Sequence, residues 1–308
     1  MFALNASDRK IYVPTKSVDA YKTAQYWSNY TDDIVAYDFE EGEVVPETLK
    51  PANNEIYYTN GSTTEATTPY KTNVFGANIV SNTYDAEKEC WVIKFDDDIS
   101  VIGEMAFYKR SNITSIVLPN SITEIGGGAF YECNNITDIN IPDGITKIGK
   151  QAFYYCSNIT NFTLPNSITE IGGCAFQSCY GAFLVNCNIP SATEYQGAGF
   201  YGCRSTSITI GDNVTTIGDF AFSYTSMITS IVIPNSVTYI GRYAFYNSTD
   251  LASVYCKSIT PPSGGYGMFD GNASGRKIYV PTESVDAYKS AEYWSDINYA
   301  SSIEPYNF

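Results

Sequence analysis

Cysteine is the residue type whose chemistry first needs an explanation in this sequence. The chain of 308 residues contains eight cysteines and no histidine. No two cysteines form a Cys-x-x-Cys pair, the spacing that many zinc sites use. Histidine is the commonest metal ligand and the usual base for a serine or cysteine nucleophile. Its absence leaves only enzymes that use a carboxylate or lysine base as candidates. We therefore predict a non-enzymatic chain with no catalytic site, no metal site and no cofactor.

Four of the cysteines recur at nearly constant spacing. Cys133, Cys156 and Cys179 are 23 residues apart, and Cys203 follows after 24. One cysteine per repeat is typical of a buried column of small side chains. Stacked coils place equivalent Cα atoms ~5 Å apart, which is also within the range of a disulfide. We expect free thiols, because stacked coils need no covalent link, and bridged pairs are the alternative.

Two short motifs resemble ligand-binding loops. Residues 197–202 match the Gly-x-Gly-x-x-Gly pattern of dinucleotide-binding proteins, but that pattern must follow a strand and open a helix. Here it lies inside a repeat, where Gly199 and Phe200 replace an Ala-Phe pair. Residues 270–275 begin like a calcium loop, but Pro281 stands where the twelfth position requires a bidentate Glu. We interpret both as ordinary parts of the chain.

The charge of the chain excludes several classes of partner. Its formal net charge is −15, whereas nucleic acids and anionic membrane surfaces attract a local excess of Lys and Arg. No apolar run reaches the ~18 to 20 residues that cross a bilayer, and the first ten residues lack the pattern of a signal peptide. We predict no nucleic acid partner and no membrane insertion by this chain. Either the protein is cytosolic or its export signal lies outside this chain.

An internal repeat organises most of the chain. Within a unit, apolar residues alternate at the spacing of short strands, and a proline such as Pro142 follows the first strand. No single unit can bury its apolar side, so we expect the units to stack around a continuous core. Seven units, most of them 23 residues long, lie between about Ile99 and Cys256. Each is recognised by one recurring dipeptide, namely Ile102-Gly103, Ile125-Gly126, Ile148-Gly149, Ile171-Gly172, Tyr195-Gln196, Ile217-Gly218 or Ile240-Gly241.

These repeats resemble a known family. The segment LPNSITEIGGGAFYECNNITDINIPDGITKIGKQAFYYC, residues 118–156, is similar to the BspA-like class of leucine-rich repeats. The segments YCKSITPP and KIYVPTESVDAYKSAEYW are similar to that family's C-terminal cap. The resemblance implies a mainly β, right-handed leucine-rich repeat solenoid of about seven 23-residue coils. It also implies an extracellular or cell-surface protein, because many such proteins attach to host proteins or to other microbes.

Short β-type runs precede the repeats. Residues 54–98 hold apolar residues at strand spacing, which predicts a β-rich N-terminal cap for the solenoid of residues 99–262. Trp91, Ile93 and Phe95 alternate with more outward positions, so we expect the first coil to stack on their strand. Solenoids need such caps, because terminal coils otherwise expose core and unpaired strand edges.

Residues 263–308 predict a C-terminal cap with a short helix. Apolar residues recur at helical spacing between Glu283 and Trp294, and Thr282 precedes them as a candidate N-cap. We expect the apolar face of this helix, together with Trp294, to cover the last coil.

The beginning of the chain repeats its end. Residues 9–30 match residues 276–297 with five differences. We therefore interpret residues 1–39 as the C-terminal cap remnant of an upstream repeat array and residues 40–53 as a linker. We expect the helix predicted within residues 1–39 to pack on the N-terminal cap region or on a neighbouring molecule, through Val18, Tyr21 and Trp27.

The outward positions of the first strand in each unit are candidates for a binding surface. They are mostly small and polar, so the face can accept a protein or glycan ligand, although a solvated face is the default interpretation. Named candidates on this face are Asn140, Thr163, Asn188 and Tyr255.

One stretch, residues 177–211, departs from the repeat pattern. The fourth unit is one residue longer than the regular 23 residues, and the fifth is one residue shorter. Insertions in solenoids often lie on one face and carry binding, although they are also tolerated as harmless kinks. The residues that predict a local interaction patch here are Tyr180, Phe183, Tyr195, Gln196 and Arg204.

A tyrosine follows the phenylalanine of most units. We predict that these tyrosines form one column along an edge of the solenoid. We interpret the column as a structural ladder, and a sugar-binding surface is the alternative. They are Tyr108, Tyr131, Tyr154, Tyr201 and Tyr246.

Three functions follow from these patterns. The leading hypothesis is an adhesion module that binds host or microbial macromolecules. The second is an architectural spacer in a surface protein built from tandem arrays. The third is a carbohydrate-active module, which has little support because no paired carboxylates converge in the sequence beyond residues 96–98, which we interpret as solvated.

Overall fold

Parallel strands that stack coil upon coil make up most of the fold. The computed structural model describes residues 11–14, 34–37, 50–192 and 195–308. The chain divides into the units Met1–Leu49 and Lys50–Phe308, which we describe separately. The packing predicted for Val18, Tyr21 and Trp27 lies outside the described residues.

Strands and helices are numbered in chain order. The described residues contain two short α-helices, α1 (Val285–Ser290) and α2 (Ile297–Ala300), and 3-10 turns at Tyr195–Gly197 and Thr282–Ser284. The strands are β1 (Ile11–Pro14), β2 (Ile34–Tyr37), β3 (Glu55–Thr59), β4 (Ile79–Asp85), β5 (Cys90–Phe95), β6 (Val101–Ile102), β7 (Ser115–Val117), β8 (Glu124–Ile125), β9 (Asp138–Ile139), β10 (Lys147–Ile148), β11 (Asn161–Leu164), β12 (Glu170–Ile171), β13 (Ala182–Val185), β14 (Ile208–Ile210), β15 (Thr216–Ile217), β16 (Ser230–Ile233), β17 (Tyr239–Ile240), β18 (Ser253–Cys256), β19 (Ser263–Gly264), β20 (Lys277–Pro281) and β21 (Ile303–Tyr306).

Two faces of the solenoid carry strands. Two-residue strands form the narrow face, in which Ile148 is in register with Ile125 and Ile171 of the adjacent coils. The wider main face consists of nine strands, namely β7, β9, β11, β13, β14, β16, β18, β20 and β21. This arrangement confirms the predicted mainly β solenoid. The ladder also continues into residues 263–308, where β20 and β21 extend it beyond the seven sequence units.

The glycine of each repeat lets neighbouring coils approach closely. A Cβ atom on Gly149 would lie 2.5 Å from the backbone nitrogen of Gly127. Every other residue type has a Cβ atom and would clash with the backbone there. The chain then changes direction through left-handed residues four positions apart, such as Gln151 (φ 57°) and Tyr155 (φ 58°).

A column of phenylalanine rings fills the centre of the solenoid. Phe153 is fully buried, and its ring centroid lies 5.3 Å from that of Phe130 and 5.5 Å from that of Phe176. The column comprises Phe107, Phe130, Phe153, Phe176, Phe200, Phe222, Phe245 and Phe269. The core therefore continues from the repeats into the predicted C-terminal cap.

Antiparallel strands begin the main sheet. β3 pairs with β5 on one side and with β7, the first strand of the main face, on the other. The first coil therefore stacks on β3, and the prediction that it stacks on β5 is wrong. Trp91, Ile93 and Phe95 of β5 are buried. Val92, which the alternation predicts to be an outward position, is also buried, in a separate cluster with Tyr57 and Cys90. Alternation in the sequence identified the buried face of Trp91, Ile93 and Phe95 but not the neighbouring strand, which the sheet order decides.

The C-terminal helix is shorter than predicted. α1 ends at Ser290, because Ala291 adopts an extended conformation (φ −71°, ψ 147°). This change of direction brings Trp294 onto the last coils, where its Nε1 donates a hydrogen bond of 2.8 Å to the carbonyl of Pro262. Thr282 is not the N-cap, since Ser284 occupies that position and the Thr282 hydroxyl bonds Asn307 instead.

The last strand leaves no complete edge for a further strand. The carbonyl of Ser302 accepts a hydrogen bond of 2.9 Å from the Ile278 N–H, so Ser302 and Glu304 face β20. Alternate residues face the other side. Pro305 therefore stands at the outer edge, where it offers no N–H.

The N-terminal unit contains a matching strand pair. β1 and β2 are parallel, with Ile11 opposite Ile34 and Pro14 opposite Tyr37. β20 and β21 pair in the same way, with Pro281 opposite Tyr306. The equal register supports a duplicated cap, and the assignment of residues 1–39 to an upstream array stays a prediction.

Candidate binding surface

Alternate residues of the main face point to solvent. In β13, Leu184 is exposed whereas its neighbours Phe183 and Val185 are buried. The ladder aligns outward residues of successive coils, so that Thr163 is opposite Leu184 and Leu184 is opposite Thr209. The ladder therefore defines this column residue by residue from β11 to β14, and again from β16 to β20.

Asn188 does not belong to this column, contrary to the prediction. Leu184 takes the place between Thr163 and Thr209. The side-chain oxygen of Asn188 instead accepts hydrogen bonds of 2.8 and 3.0 Å from the N–H groups of Thr215 and Thr216. The irregular unit length shifted the sequence alignment by four residues at this point.

Large apolar side chains continue the column toward the C-terminus. Val232 is opposite Tyr255, and Tyr255 is opposite Tyr279. The set that we call the outward stripe consists of Leu184, Val232, Tyr255, Tyr279, Tyr306 and Phe308. Four of its members, Leu184, Val232, Tyr306 and Phe308, are 38%, 41%, 43% and 52% exposed. A row of exposed apolar side chains is typical of an interaction surface.

Four aromatic rings form the C-terminal end of the outward stripe. Tyr255 and Tyr279 stack with ring centroids 4.8 Å apart and planes inclined by 15°. Tyr306 meets both rings edge to face, at 5.3 and 5.6 Å. Phe308 meets Tyr306 in turn at 5.0 Å. The rings hold one another in position, so this part of the surface is preformed.

Small or paired polar residues border the outward stripe. Ser230 is opposite Ser253, and Ser253 is opposite Lys277. Lys277 forms an ion pair with Glu304, and the hydrogen bond between them raises the pKa of Lys277. The border therefore carries little uncompensated charge.

The N-terminal half of the face is different. Asn140 uses its side chain to complete the ladder where β9 ends, since Oδ1 accepts from the Leu118 N–H at 2.7 Å and Nδ2 donates to the Leu118 carbonyl at 3.0 Å. Thr163 is exposed. Of the four candidates predicted on this face, Tyr255 alone lies in the aromatic group, with three aromatic partners that the sequence analysis did not name.

The irregular stretch brings Tyr180 and Arg204 together. The guanidinium donates from Nη1 to the Tyr180 hydroxyl at 2.8 Å and lies 5.9 Å from the ring centroid. That hydrogen bond raises the pKa of Arg204. Gln196 is exposed, and the side chain of Tyr195 lies outside the described part of the chain.

Phe183 is a core residue, and its prediction as a surface contact is wrong. It is 2% exposed and stacks on Phe162 with centroids 4.7 Å apart. β13 begins early, so that Phe183 follows its ladder partner Phe162 by only 21 residues. Phe183 therefore lies within the strand on its core side, whereas the regular period places it before the strand, in line with Thr160.

The predicted tyrosine column exists in two segments rather than one. Tyr131 stacks on Tyr108 at 5.0 Å and on Tyr154 at 4.7 Å. Gln177 interrupts the column, and a second segment links Tyr201 and Tyr246 through Tyr224. In the first segment each ring covers the face of the next, which favours a structural ladder over a sugar-binding surface.

The cysteines are free and buried. In three successive coils the thiol of the column donates a hydrogen bond of 2.9 to 3.1 Å to the carbonyl of the phenylalanine one coil earlier. Burial raises the pKa of Cys133 and of Cys203 to about 12. These thiols therefore act as protonated donors that join one coil to the next. The donors are Cys133, Cys156 and Cys179.

The two loop motifs occupy ordinary positions in the solenoid. The Gly199 carbonyl accepts a hydrogen bond from the Phe176 N–H, as expected for the repeat frame. Asp270 accepts a hydrogen bond of 2.7 Å from the Tyr299 hydroxyl within the C-terminal region. Among the described residues, no group of three or more acidic or cysteine side chains is arranged to hold a metal ion.

Comparison with known sequences identifies the repeat. The sequence model of the BspA type leucine rich repeat region matches residues 77–198 and 193–302, in six copies. The chain belongs to the BspA-type leucine-rich repeat family. No curated protein matches this BspA-type chain. In the part of the chain that the structure describes, no helix has the length and apolar character needed to span a membrane.

Several solved leucine-rich repeat structures are similar to this BspA-type protein. A leucine rich cell surface protein from Faecalibacterium prausnitzii is 23% identical over 72% of each chain, with a TM-score of 0.43. The T. pallidum leucine rich repeat protein is 23% identical over 57% of this chain and 71% of that one, with a TM-score of 0.38. A leucine-rich repeat protein from Bacteroides ovatus is 24% identical over 61% of each chain, with a TM-score of 0.31.

Membership in the BspA-type family bears on the class of function. Leucine-rich repeat proteins are typically non-enzymatic, and their family suggests a protein-interaction module. Stacked repeats create extended surfaces whose side chains can vary without disturbing the core. The outward stripe is such a surface in this chain.

Proposed function

We propose that this BspA-type chain is a non-enzymatic adhesion module, secreted or displayed on the cell surface, that binds a host or microbial macromolecule. The outward stripe is the binding surface. The family resemblance supports the proposed location, and the stripe supports the proposed binding.

One observation carries the proposal. Six large apolar side chains lie on the solvent side of the main face, whose other outward residues are mostly small or polar. Thr209 interrupts the column after Leu184, and Tyr306 and Phe308 join its C-terminal end through ring contacts. Their aromatic end is rigid, and rigid exposed tyrosines contribute strongly to interfaces at low entropic cost. A tyrosine that acts as a hot spot contributes about 2 kcal/mol or more, which is about 30-fold in Kd.

A protein partner fits this surface better than a glycan. Tyr255 and Tyr279 cover each other's faces and leave mainly ring edges and hydroxyl groups to solvent. Sugar rings stack on open aromatic faces, whereas protein side chains pack against edges and hydroxyls as readily. The stripe therefore favours a polypeptide contact.

A spacer role is the alternative, and one observation favours it. β1–β2 repeats the register of β20–β21, which supports a protein assembled from tandem arrays. An array that only extends such a protein needs no ligand of its own.

An array of extracellular proteins and glycans probed with the full chain distinguishes these functions. We expect a saturable protein binder whose affinity falls about 30-fold or more in a Tyr279→Ser, Tyr306→Ser double variant. The matched control is Tyr266→Ser, because Tyr266 is 58% exposed but lies outside the outward stripe.

Three results would contradict the adhesion proposal. Absence of any saturable binder would favour the spacer. A binder unaffected by the double variant would move the binding surface away from the stripe. Turnover of a polysaccharide panel by the purified chain would refute the non-enzymatic assignment.

A further inference from the structure

The outward stripe also indicates the chemistry of its occupant. Resting on the proposed function, we infer that the stripe binds an extended polypeptide segment in which apolar side chains are accompanied by basic ones. The inference depends on the length of the stripe, on the small residues beside it and on the charge at its C-terminal end.

The length of the stripe sets the length of the segment. Leu184 lies on β13 and Tyr306 on β21, with β14, β16, β18 and β20 between them. Neighbouring strands are about 4.8 Å apart, so the stripe is about 24 Å long. An extended chain advances about 3.4 Å per residue, so about seven residues of a partner span it.

Small residues beside the stripe leave room for a backbone. The outward residue two positions before the stripe is Ala182 in β13, Ser230 in β16 and Ser253 in β18, whereas in β20 it is Lys277, which is paired with Glu304. A partner backbone can lie over these residues while alternate side chains reach the apolar row, since an extended chain directs every second side chain to one side.

Negative charge is concentrated at the aromatic end. The turn Thr282–Ser284 packs against β21, and the Thr282 hydroxyl bonds Asn307, which lies between Tyr306 and Phe308 in sequence. Glu283 in this turn and Asp286 in α1 are both exposed. Glu304 is paired with Lys277, and α1 also carries the exposed Lys289. The two carboxylates and this one ammonium group together leave a net charge of −1 at this end.

Charge complementarity then selects the partner. A chain of net charge −15 disfavours an acidic segment, and the net negative charge of Glu283, Asp286 and Lys289 near the aromatic rings favours a cationic one. The apolar row supplies the contact area, and the acidic end supplies orientation and preference for basic residues.

Fluorescence anisotropy with three labelled peptides tests the inference. Each peptide has about eight residues, to match the stripe, and alternates lysine with leucine, lysine with serine, or glutamate with leucine. At about 150 mM salt, which screens unspecific attraction, we expect the lysine–leucine peptide to bind the full chain about tenfold or more tightly than the other two.

Variants assign each part of the effect. Tyr306→Ser is expected to weaken binding of the lysine–leucine peptide about tenfold, and Tyr266→Ser to leave it unchanged. A Glu283→Gln, Asp286→Asn double variant is expected to weaken the same peptide about threefold without strengthening the lysine–serine peptide. Equal melting temperatures show that the variants are folded.

Each contrary result has a definite meaning. Equal binding of the lysine–serine peptide would show unspecific charge attraction and would overturn the inference. Equal binding of the glutamate–leucine peptide would overturn the preference for basic residues and leave the stripe as a binding surface. If no peptide binds but the array binder still requires Tyr279 and Tyr306, the inference fails and the proposed function stands. If neither measurement responds to these tyrosines, both fail.

Discussion

The thiol of Cys156 donates a hydrogen bond of 3.0 Å to the backbone carbonyl of Phe130 in the preceding coil. Other coils make the same bond with a different donor, such as the Ser248 hydroxyl to the Phe222 carbonyl at 3.1 Å. The position of Cys156 and Ser248 in their coils therefore favours a small side chain that donates a hydrogen bond. Cysteine supplies this donor without adding a strongly polar group to the core.

Protection of the thiols is the first expected consequence. All eight cysteines are buried and free, so the native chain should react with less than about one equivalent of Ellman's reagent per molecule at pH 8. Denaturation should release eight thiols without added reductant. Release of fewer than eight would show disulfides and contradict the free-thiol assignment.

Stability should decrease in alkaline solution. Burial raises the pKa of Cys133 to about 12 from its ordinary value of 9.0. A raised pKa means that the folded state holds the proton, so the stabilisation is complete below pH 9 and is lost between pH 9 and about 12. Each such thiol contributes a slope of about 1.4 kcal/mol per pH unit in that interval.

Denaturant titrations between pH 8 and 11 measure this slope in the parent chain and in Cys133→Ser. Serine keeps the donor, as Ser248 does in its coil, but does not titrate. Above pH 9 the free energy of unfolding of the variant should therefore decline less steeply than that of the parent, by about 1.4 kcal/mol per pH unit, and an unchanged slope would mean that Cys133 does not contribute.

Removal of a ring from the phenylalanine column should be severely destabilising. Phe153 contacts Phe130, Phe162 and Phe176, and its side chain is fully buried. We expect Phe153→Ala to lower the free energy of unfolding by about 3 to 5 kcal/mol, and Phe153→Leu to cost clearly less because it fills most of the volume. Thermal unfolding unchanged in the alanine variant would refute the buried column.

The close approach of neighbouring coils can be tested with two glycine-to-alanine variants, one at a tight contact between coils and one away from it. A Cβ atom on Gly149 would meet the Gly127 nitrogen at 2.5 Å, whereas on Gly144 the nearest atom would be 3.7 Å away. Gly149→Ala should therefore cost about 3 kcal/mol or more of unfolding free energy. Gly144→Ala should have little effect, and similar losses in both variants would contradict the stacking geometry.

Much of the fold could be predicted from the repeat alone. Gly149 and Phe153 recur because one permits coil contact and the other fills the core, so their period identifies the solenoid. The period could not place Phe183, because a regular 23-residue repeat makes it equivalent to the exposed Thr160, which precedes β11. The strand β13 begins two residues early, so that Phe183 pairs with the core residue Phe162 instead.

The aromatic end of the outward stripe was also beyond the sequence analysis. Tyr279 and Tyr306 were assigned to a cap. The ladder register shows that Tyr279 continues the outward column of Tyr255, whereas Tyr306 is opposite Pro281 and joins the column through its ring contacts with Tyr255 and Tyr279. A signal did exist in the sequence, since Tyr12, Tyr37 and Phe39 repeat the residue types of Tyr279, Tyr306 and Phe308. Aromatic identity in a duplicated segment does not by itself reveal which face the rings occupy.

Pro305 has a consequence for how such a protein changes during evolution. Because it denies the outer edge of β21 a complete set of donors, elongation beyond this strand is disfavoured, and new coils are most readily gained between the two ends. Duplication or deletion of one repeat would change the length of the solenoid by about 4.8 Å and preserve both ends. Related chains could therefore carry the same aromatic end at graded distances from whatever holds the other end of the solenoid.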